Sequence, residues 1–107
     1  MAPKLSAVLL TKNEQSIIRD CLESLKWADE IVVVDDFSQD DTLNICREYT
    51  DRIYSRKLED FGEQRRFSVE KATGDWVLSL DADEIVTPQL KEEIIEQINR
   101  SEYDCFC

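Results

Sequence analysis

The sequence predicts an α/β domain built on a mostly parallel sheet, and three observations predict it. Strand-like and helix-like periods alternate along the chain with no internal repeat, the pattern of successive βαβ units. The run EIVVVD at residues 30–35 is β-branched and apolar on both faces, as expected of a central parallel strand covered by helices on each side. Polar clusters follow three of the strand-like runs at their carboxyl ends, the edge where open parallel sheets gather ligands.

Leu5 to Thr11 reads as the first strand. Asn13 is placed to cap a helix whose apolar stripe is Ile17, Ile18, Cys21, Leu22 and Leu25, spaced by three and four. Glu30 to Asp35 is the second strand. Ser38 followed by Asp41 resembles a capping box with Asp in the Glu place, opening a helix with Leu43, Cys46 and Tyr49 on one side. Arg52 to Ser55 is a weak third strand. Asp60, with Glu63 three residues on, starts a helix that Gly74 is expected to end in the left-handed C′ position. Trp76 to Leu80 is the fourth strand, and Thr87-Pro88 opens a last helix carrying Leu90, Ile94, Ile95 and Ile98. Tyr103 to Cys107 begins a fifth strand, and a chain stopping inside an apolar run is expected to be a piece of something longer.

At 107 residues the chain is one domain, and a chain of this length buries roughly two-thirds of its unfolded surface. With 42% hydrophobic residues, 35% charged ones and no low-complexity linker, it is globular rather than disordered. The formal charge of −11 argues against a sequence-independent grip on nucleic-acid phosphates or anionic membrane. The run from Leu5 to Leu10 is too short for a signal peptide or a membrane span, so the expected compartment is the cytoplasm. Four cysteines without CxxC spacing, and no histidine, exclude the usual zinc sites and read as reduced thiols, partly core. The lack of histidine also removes Ser-His and Cys-His machinery. Trp27 and Trp76 read as core.

The candidate chemistry lies at the strand ends. The first strand ends in Thr11, Lys12, Asn13 and Glu14, the second in Asp35 and Asp36, and the fourth in Asp81, Asp83 and Glu84. In an extended segment Asp81 and Asp83 project to the same side, where two carboxylates at close range call for a cation. Oxygen donors in this number suit Mg²⁺ or Mn²⁺, which take further ligands from substrate phosphates; a solvated turn is the alternative. Asp35 or Asp36 is placed to accept from a uracil imide or a ribose hydroxyl, or else to stabilise a helix N-terminus. Arg65 and Arg66 form the adjacent basic pair of GEQRR, and an arginine fork suits diphosphate oxygens as well as a solvated helix face.

Together the runs VLLTKNE (8–14), VVVDDFSQDDT (32–42), FGEQRRFSVEKATGDW (61–76) and LSLDADE (78–84) resemble family 2 glycosyltransferases of the GT-A fold. They occur in that family's order over about residues 5–100. WADEIVVVDD and GDWVLSLDADE look most like the branch containing lipopolysaccharide core glucosyltransferases. The resemblance implies a Rossmann-like three-layer αβα sandwich of which residues 1–107 are the N-terminal, nucleotide-sugar-binding half. It implies an inverting transfer from a nucleotide-diphosphate sugar, UDP-linked, to the hydroxyl of a glycan or glycolipid acceptor. Thr11 and Asn13, with Glu14 beside them, would line the nucleoside pocket, Asp35 and Asp36 would read base or ribose, and Arg65 would approach the phosphates. Asp81 and Asp83 match the DxD motif that carries Mg²⁺ or Mn²⁺, with Asp81 also facing the donor. The catalytic base is expected beyond Cys107, so no residue of this chain is assigned to it. Arg66 departs from the Asn that many members carry. The parent is expected in the cytoplasm, peripheral at the inner membrane, and sheet edges of a half domain are expected to favour self-association.

Three other classes share part of this pattern. A phosphorelay receiver shares an acidic pair after an apolar strand and a later Asp, here Asp81, but an extra strand precedes the pair. A nicotinamide-binding domain needs GxGxxG, which a chain with only Gly62 and Gly74 lacks. A non-catalytic sugar-nucleotide binder shares the donor residues.

Overall fold

The computed structural model describes residues 4–100 and the backbone of a short strand at 105–106. Five strands and four helices alternate: β1 (Leu5–Thr11), α1 (Ile18–Ser24), β2 (Glu30–Asp35), α2 (Thr42–Arg47), β3 (Ile53–Ser55), α3 (Phe61–Lys71), β4 (Trp76–Asp81), α4 (Pro88–Arg100) and β5 (Cys105–Phe106). The sheet order is β3-β2-β1-β4-β5, and every pairing is parallel. The predicted α/β class and the expected strands are therefore present, β3 starting one residue later than expected and β4 ending one later.

Every residue of β1 is buried, as the middle strand of a sheet covered on both faces requires. Leu5, Ala7 and Leu9 share one face with Ile31 and Val33 of β2 and with Trp76, Leu78 and Leu80 of β4. Against them pack Ile18, Cys21, Leu22 and Leu25 of the α1 segment, together with Cys46, Ile94 and Ile98. The opposite face carries α3, whose Arg65 reaches Ser79 and whose Phe67 meets Tyr54 edge-on. This is the three-layer αβα arrangement.

Several local expectations change. Asn13 caps no helix: α1 begins after Ile17 without a side-chain cap, and Ile17 is exposed. Ser38 and Asp41 form no capping box, since α2 also starts without a side-chain cap. Asp60 does cap α3, accepting from the backbone N–H of Gly62 and Glu63, and Thr87 accepts from Leu90 N–H at the start of α4. Along α4 only Ile94 and Ile98 of the predicted stripe are buried, with Leu90 and Ile95 partly exposed. Trp76 is buried and Trp27 packs partly against the core. Cys21 and Cys46 are buried free thiols; the side chains of Cys105 and Cys107 lie outside the described residues.

Gly74 is not in a left-handed C′ position, because α3 ends at Lys71 with Ala72 extended and no described glycine has a positive φ. Its small size is needed for another reason. A Cβ there would stand 2.6 Å from Ser6 Oγ and 2.9 Å from both Lys4 O and Ser6 N. The same spot is a polar knot, in which Gly74 N–H donates to Ser6 Oγ while Ser6 Oγ and Thr73 donate to Glu30.

Gly74→Ala is expected to destabilise the chain by about 1–3 kcal/mol through overpacking against backbone, read as a lower midpoint in urea or thermal unfolding. Burial, with nearby negative charge as a smaller cause, pushes the Cys21 and Cys46 thiols up to about 12. Peptide mapping after iodoacetamide at pH 8 should find both unmodified in the native chain and both modified in denaturant.

Candidate functional site

The parallel registers bring the polar strand ends to one edge. Thr11 lies beside Asp35 and Leu10 beside Asp81, so all three strands release their chains at the same level. β2 and β4 flank β1 on opposite sides, which makes the carboxyl end of β1 the switch point where successive connections part and leave a crevice. A half-open cleft of about 300 Å³ occupies it. Thr11, Lys12, Glu14, Asp36, Asp81 and Asp83 line it, with an apolar wall that includes Leu58 and Phe61.

Two loops form the rim, and they are laced together. Asn13 N–H donates to Ser38 Oγ, Gln39 N–H to Asn13 Oδ1, Glu14 N–H to the buried Thr42 Oγ1 and Asp41 N–H to Gln15 Oε1. The side chains of Asn13 and Ser38, expected at helix caps, are thus spent on cross-loop bonds. Asp35 belongs to this lacing. It is fully buried, and its carboxylate accepts from Ser38 N–H at 2.7 Å and Ser38 Oγ at 2.5 Å. It is not among the residues that line the cleft, so of the acidic pair only Asp36 lines it.

Asp36 Oδ1 accepts from Leu58 N–H, and Oδ2 lies 3.5 Å from Lys12 Nζ. Thr11 is only 6% exposed, yet its buried Oγ1 has no hydrogen-bond partner among the described residues. A buried hydroxyl left unpaired costs free energy, and Thr11 is among the residues that line the cleft. Asp81 and Asp83 do come together, though not by strand alternation: β4 ends at Asp81 and Asp83 sits in the following turn. That turn is closed by Glu84 N–H donating to Asp81 O and by Asp81 N–H donating to Glu84 Oε1. One carboxylate oxygen from each of Asp81, Asp83 and Glu84 lies within 4.8 Å of the others. Arg65 Nη2 stands 3.6 Å from Asp81 Oδ1, while its Nη1 donates to Ser79 Oγ. Burial, then the charges of Asp83, Asp81 and Asp40, push the Glu14 carboxyl above its ordinary range.

Leu58, Phe61 and Gln64 also line the cleft without having been singled out from sequence. Lys12 was visible as part of a strand-end cluster. Gln64 carried no signal, because it is placed by a two-way bond with Arg56, accepting from Nη1 and donating to the carbonyl.

A switch-point cleft with an oxygen-donor cluster defines the class, a doubly wound α/β domain with its cleft at the carboxyl edge of the sheet. The chain belongs to glycosyl transferase family 2, whose family model matches residues 6–107. Its relatives include an uncharacterized glycosyltransferase of Rickettsia typhi, 35% identical over 85% of this chain and 32% of the relative. The lipopolysaccharide core biosynthesis glycosyltransferase LpsC of Rhizobium meliloti is 32% identical over 95% of this chain and 40% of its own. The chain thus spans about a third of the length of the curated relatives it matches. Among solved structures, S. aureus TarS 1–349 in complex with UDP superposes with a TM-score of 0.70 at 28% identity, over 91% of this chain and 32% of that one. Glucosyl-3-phosphoglycerate synthase from Mycobacterium tuberculosis with Mg²⁺ and UDP gives 0.76 at 24% identity, over 94% and 41%. The architecture is the N-terminal portion of the GT-A fold. No helix among the described residues is long and apolar enough to cross a membrane.

Thr11→Val should keep the shape and remove the unpartnered hydroxyl. It is expected to raise unfolding stability by up to about 1 kcal/mol, measured by urea titration in the absence of nucleotide.

Proposed function

We propose that the parent protein is an inverting glycosyltransferase that moves a sugar from a nucleoside-diphosphate donor, UDP-linked, to an acceptor hydroxyl in lipopolysaccharide or other cell-envelope glycan synthesis. This chain supplies the donor and metal side of that site. The observation that carries the reading is the convergence, on one cleft, of the unpartnered Thr11 Oγ1, the Asp36 carboxylate and the clustered oxygens of Asp81 and Asp83. The UDP in the TarS complex and the Mg²⁺ with UDP in the mycobacterial synthase, both held by proteins of this fold, support it.

In this reading Thr11 and Asp36, with Asn13 in the recess beyond them, hold the nucleoside, and Asp36 accepts from an imide N–H or a ribose hydroxyl. Asp35 acts indirectly, by fixing the Ser38 loop. Glu14 forms part of the wall beside the carboxylates, and its raised pKa comes first from burial and then from the negative charges of Asp83, Asp81 and Asp40. Asp81 and Asp83 would hold Mg²⁺ or Mn²⁺; both donate oxygen, as hard divalent ions prefer, and Glu84 is partly committed to Asp81 N–H. When bound, the ion supplies Lewis acidity that offsets charge on the leaving diphosphate. Arg65, held by Ser79 at one nitrogen, keeps the other for Asp81 or a phosphate oxygen. The attack itself, by an acceptor hydroxyl on the sugar C1 as the diphosphate departs, draws no base from this chain.

The test is the thermal midpoint of the chain with UDP, GDP, CDP or dTDP, each with Mn²⁺ or with EDTA. Nucleotide at about 100 times its dissociation constant should add about 2.7 kcal/mol. A rise that needs Mn²⁺, appears with UDP and disappears in Asp83→Ala is the expected result. No response to any nucleotide, or a response that survives Asp83→Ala unchanged, would remove the reading.

A further inference from the structure

Phe37 bears two costs at one residue. Its backbone is left-handed, at φ 49°, where a bulky L side chain is strained, and the residue is 57% exposed. The loop's own bonding does not require a phenylalanine there. The bonds that fix the loop are made by its neighbours, Asp35 with Ser38 and Gln39 with Asn13.

Phe37 lines a recess of about 410 Å³ together with Lys12, Asn13, Asp36, Gln39 and Lys57. Lys12 and Asp36 line the main cleft as well, so one extended ligand can occupy both spaces. Asn13, whose φ of 50° makes it the other non-glycine left-handed residue among those described, borders the same recess. An exposed aromatic face beside two ammonium donors and one carboxylate is suited to a flat, polar heterocycle. A purely apolar ligand would meet the charges of Lys12, Asp36 and Lys57 without answering them, and a phosphate alone would leave the aromatic side chain without use.

We propose that Phe37 is a base-contacting residue: its ring is the stacking face for the heterocycle of a nucleoside diphosphate whose phosphates extend toward Asp81 and Asp83. This rests on the donor-binding reading above. The left-handed backbone holds the ring outward over the recess, and the strain at Phe37 is maintained by the laced loops on either side.

The test compares the wild-type chain with Phe37→Gly, which relieves the left-handed strain, and with Phe37→Leu, which keeps apolar bulk without an aromatic face. Titration calorimetry with Mn²⁺ present would measure binding of UDP and, separately, of inorganic pyrophosphate, beside the thermal midpoint of each ligand-free chain. Phe37→Gly is expected to keep or raise the midpoint and to weaken UDP about tenfold, with pyrophosphate unchanged and Phe37→Leu intermediate for UDP. UDP affinity within twofold of wild type in Phe37→Gly would overturn the proposal, as would equal loss of UDP and pyrophosphate in both variants. Wild-type chain that binds pyrophosphate no more weakly than UDP would also overturn it, leaving the metal-diphosphate part of the donor reading in place. Wild-type chain that binds neither would instead overturn the donor reading itself.

Discussion

Everything at the carboxyl edge depends on the registration of β1 between β2 and β4. Thr11 stands beside Asp35 on one side and Leu10 beside Asp81 on the other, so side chains far apart in sequence leave the sheet at one level. Parallel pairing permits this because each strand returns by a crossover to start at the same end. A slip of one residue along β1 would do more than misalign the edge. It would turn Leu5, Ala7 and Leu9 away from the α1 core and bring Ser6 into it. The cost of that exchange is what holds the polar ends in line.

The second constraint is the lacing of the two loops that leave β1 and β2. The helices they lead into have only seven and six residues, too short to be stable by propensity. Neither is capped by its own side chain. Their position comes from apolar packing below, through Ile18, Cys21, Leu22 and Cys46, and from the bonds that Asn13, Gln15, Ser38 and Thr42 exchange above. Asp35 is the clearest case. A fully buried carboxylate stabilises only when its lone pairs are met, and Ser38 meets it through both its amide and its hydroxyl. The rim is therefore built before any ligand arrives, although two of its residues sit in left-handed backbone.

The same physics explains what was legible in the sequence. Strands were legible because burial on both faces imposes continuous apolar runs, and the edge that carries the site followed from which residues end those runs. The resemblance to family 2 glycosyltransferases rested on these strand ends and agrees with the match over residues 6–107. Caps were misread at Asn13 and Ser38, since a cap is a local bond and these side chains found partners about 25 residues away. Gly74 was misread for a related reason: its neighbour is Ser6, across the sheet, and sequence reasoning sees only the turn. Asp35 and Asp36 are indistinguishable as letters, yet alternation along the strand buries one and turns the other to the cleft. Phe37 carried no signal because its φ is invisible in a sequence.

The charge of the chain takes its meaning from this edge. Glu14, Asp36, Asp81 and Asp83 line the cleft, and the cations that approach them are Lys12, paired with Asp36, and Arg65, paired with Asp81. Both pairs are long, 3.5 and 3.6 Å, and their cationic side chains are 58% and 41% exposed, so neither fully screens its carboxylate. Among the described residues Glu14 and Asp83 have no such ion pair, and burial, with the charges of Asp83, Asp81 and Asp40 adding to it, makes Glu14 hold its proton more tightly than an ordinary carboxyl. A divalent ion on the proposed Asp81 and Asp83 site would offset this excess of negative charge. An anionic diphosphate alone would meet repulsion here, whereas the same diphosphate carried with a divalent ion would meet a site whose remaining cations, Lys12 and Arg65, are loosely held and placed to turn toward it. The acidity that argues against nucleic acid or anionic membrane as a partner is thus consistent with a phosphate-bearing ligand, provided the ion comes with it.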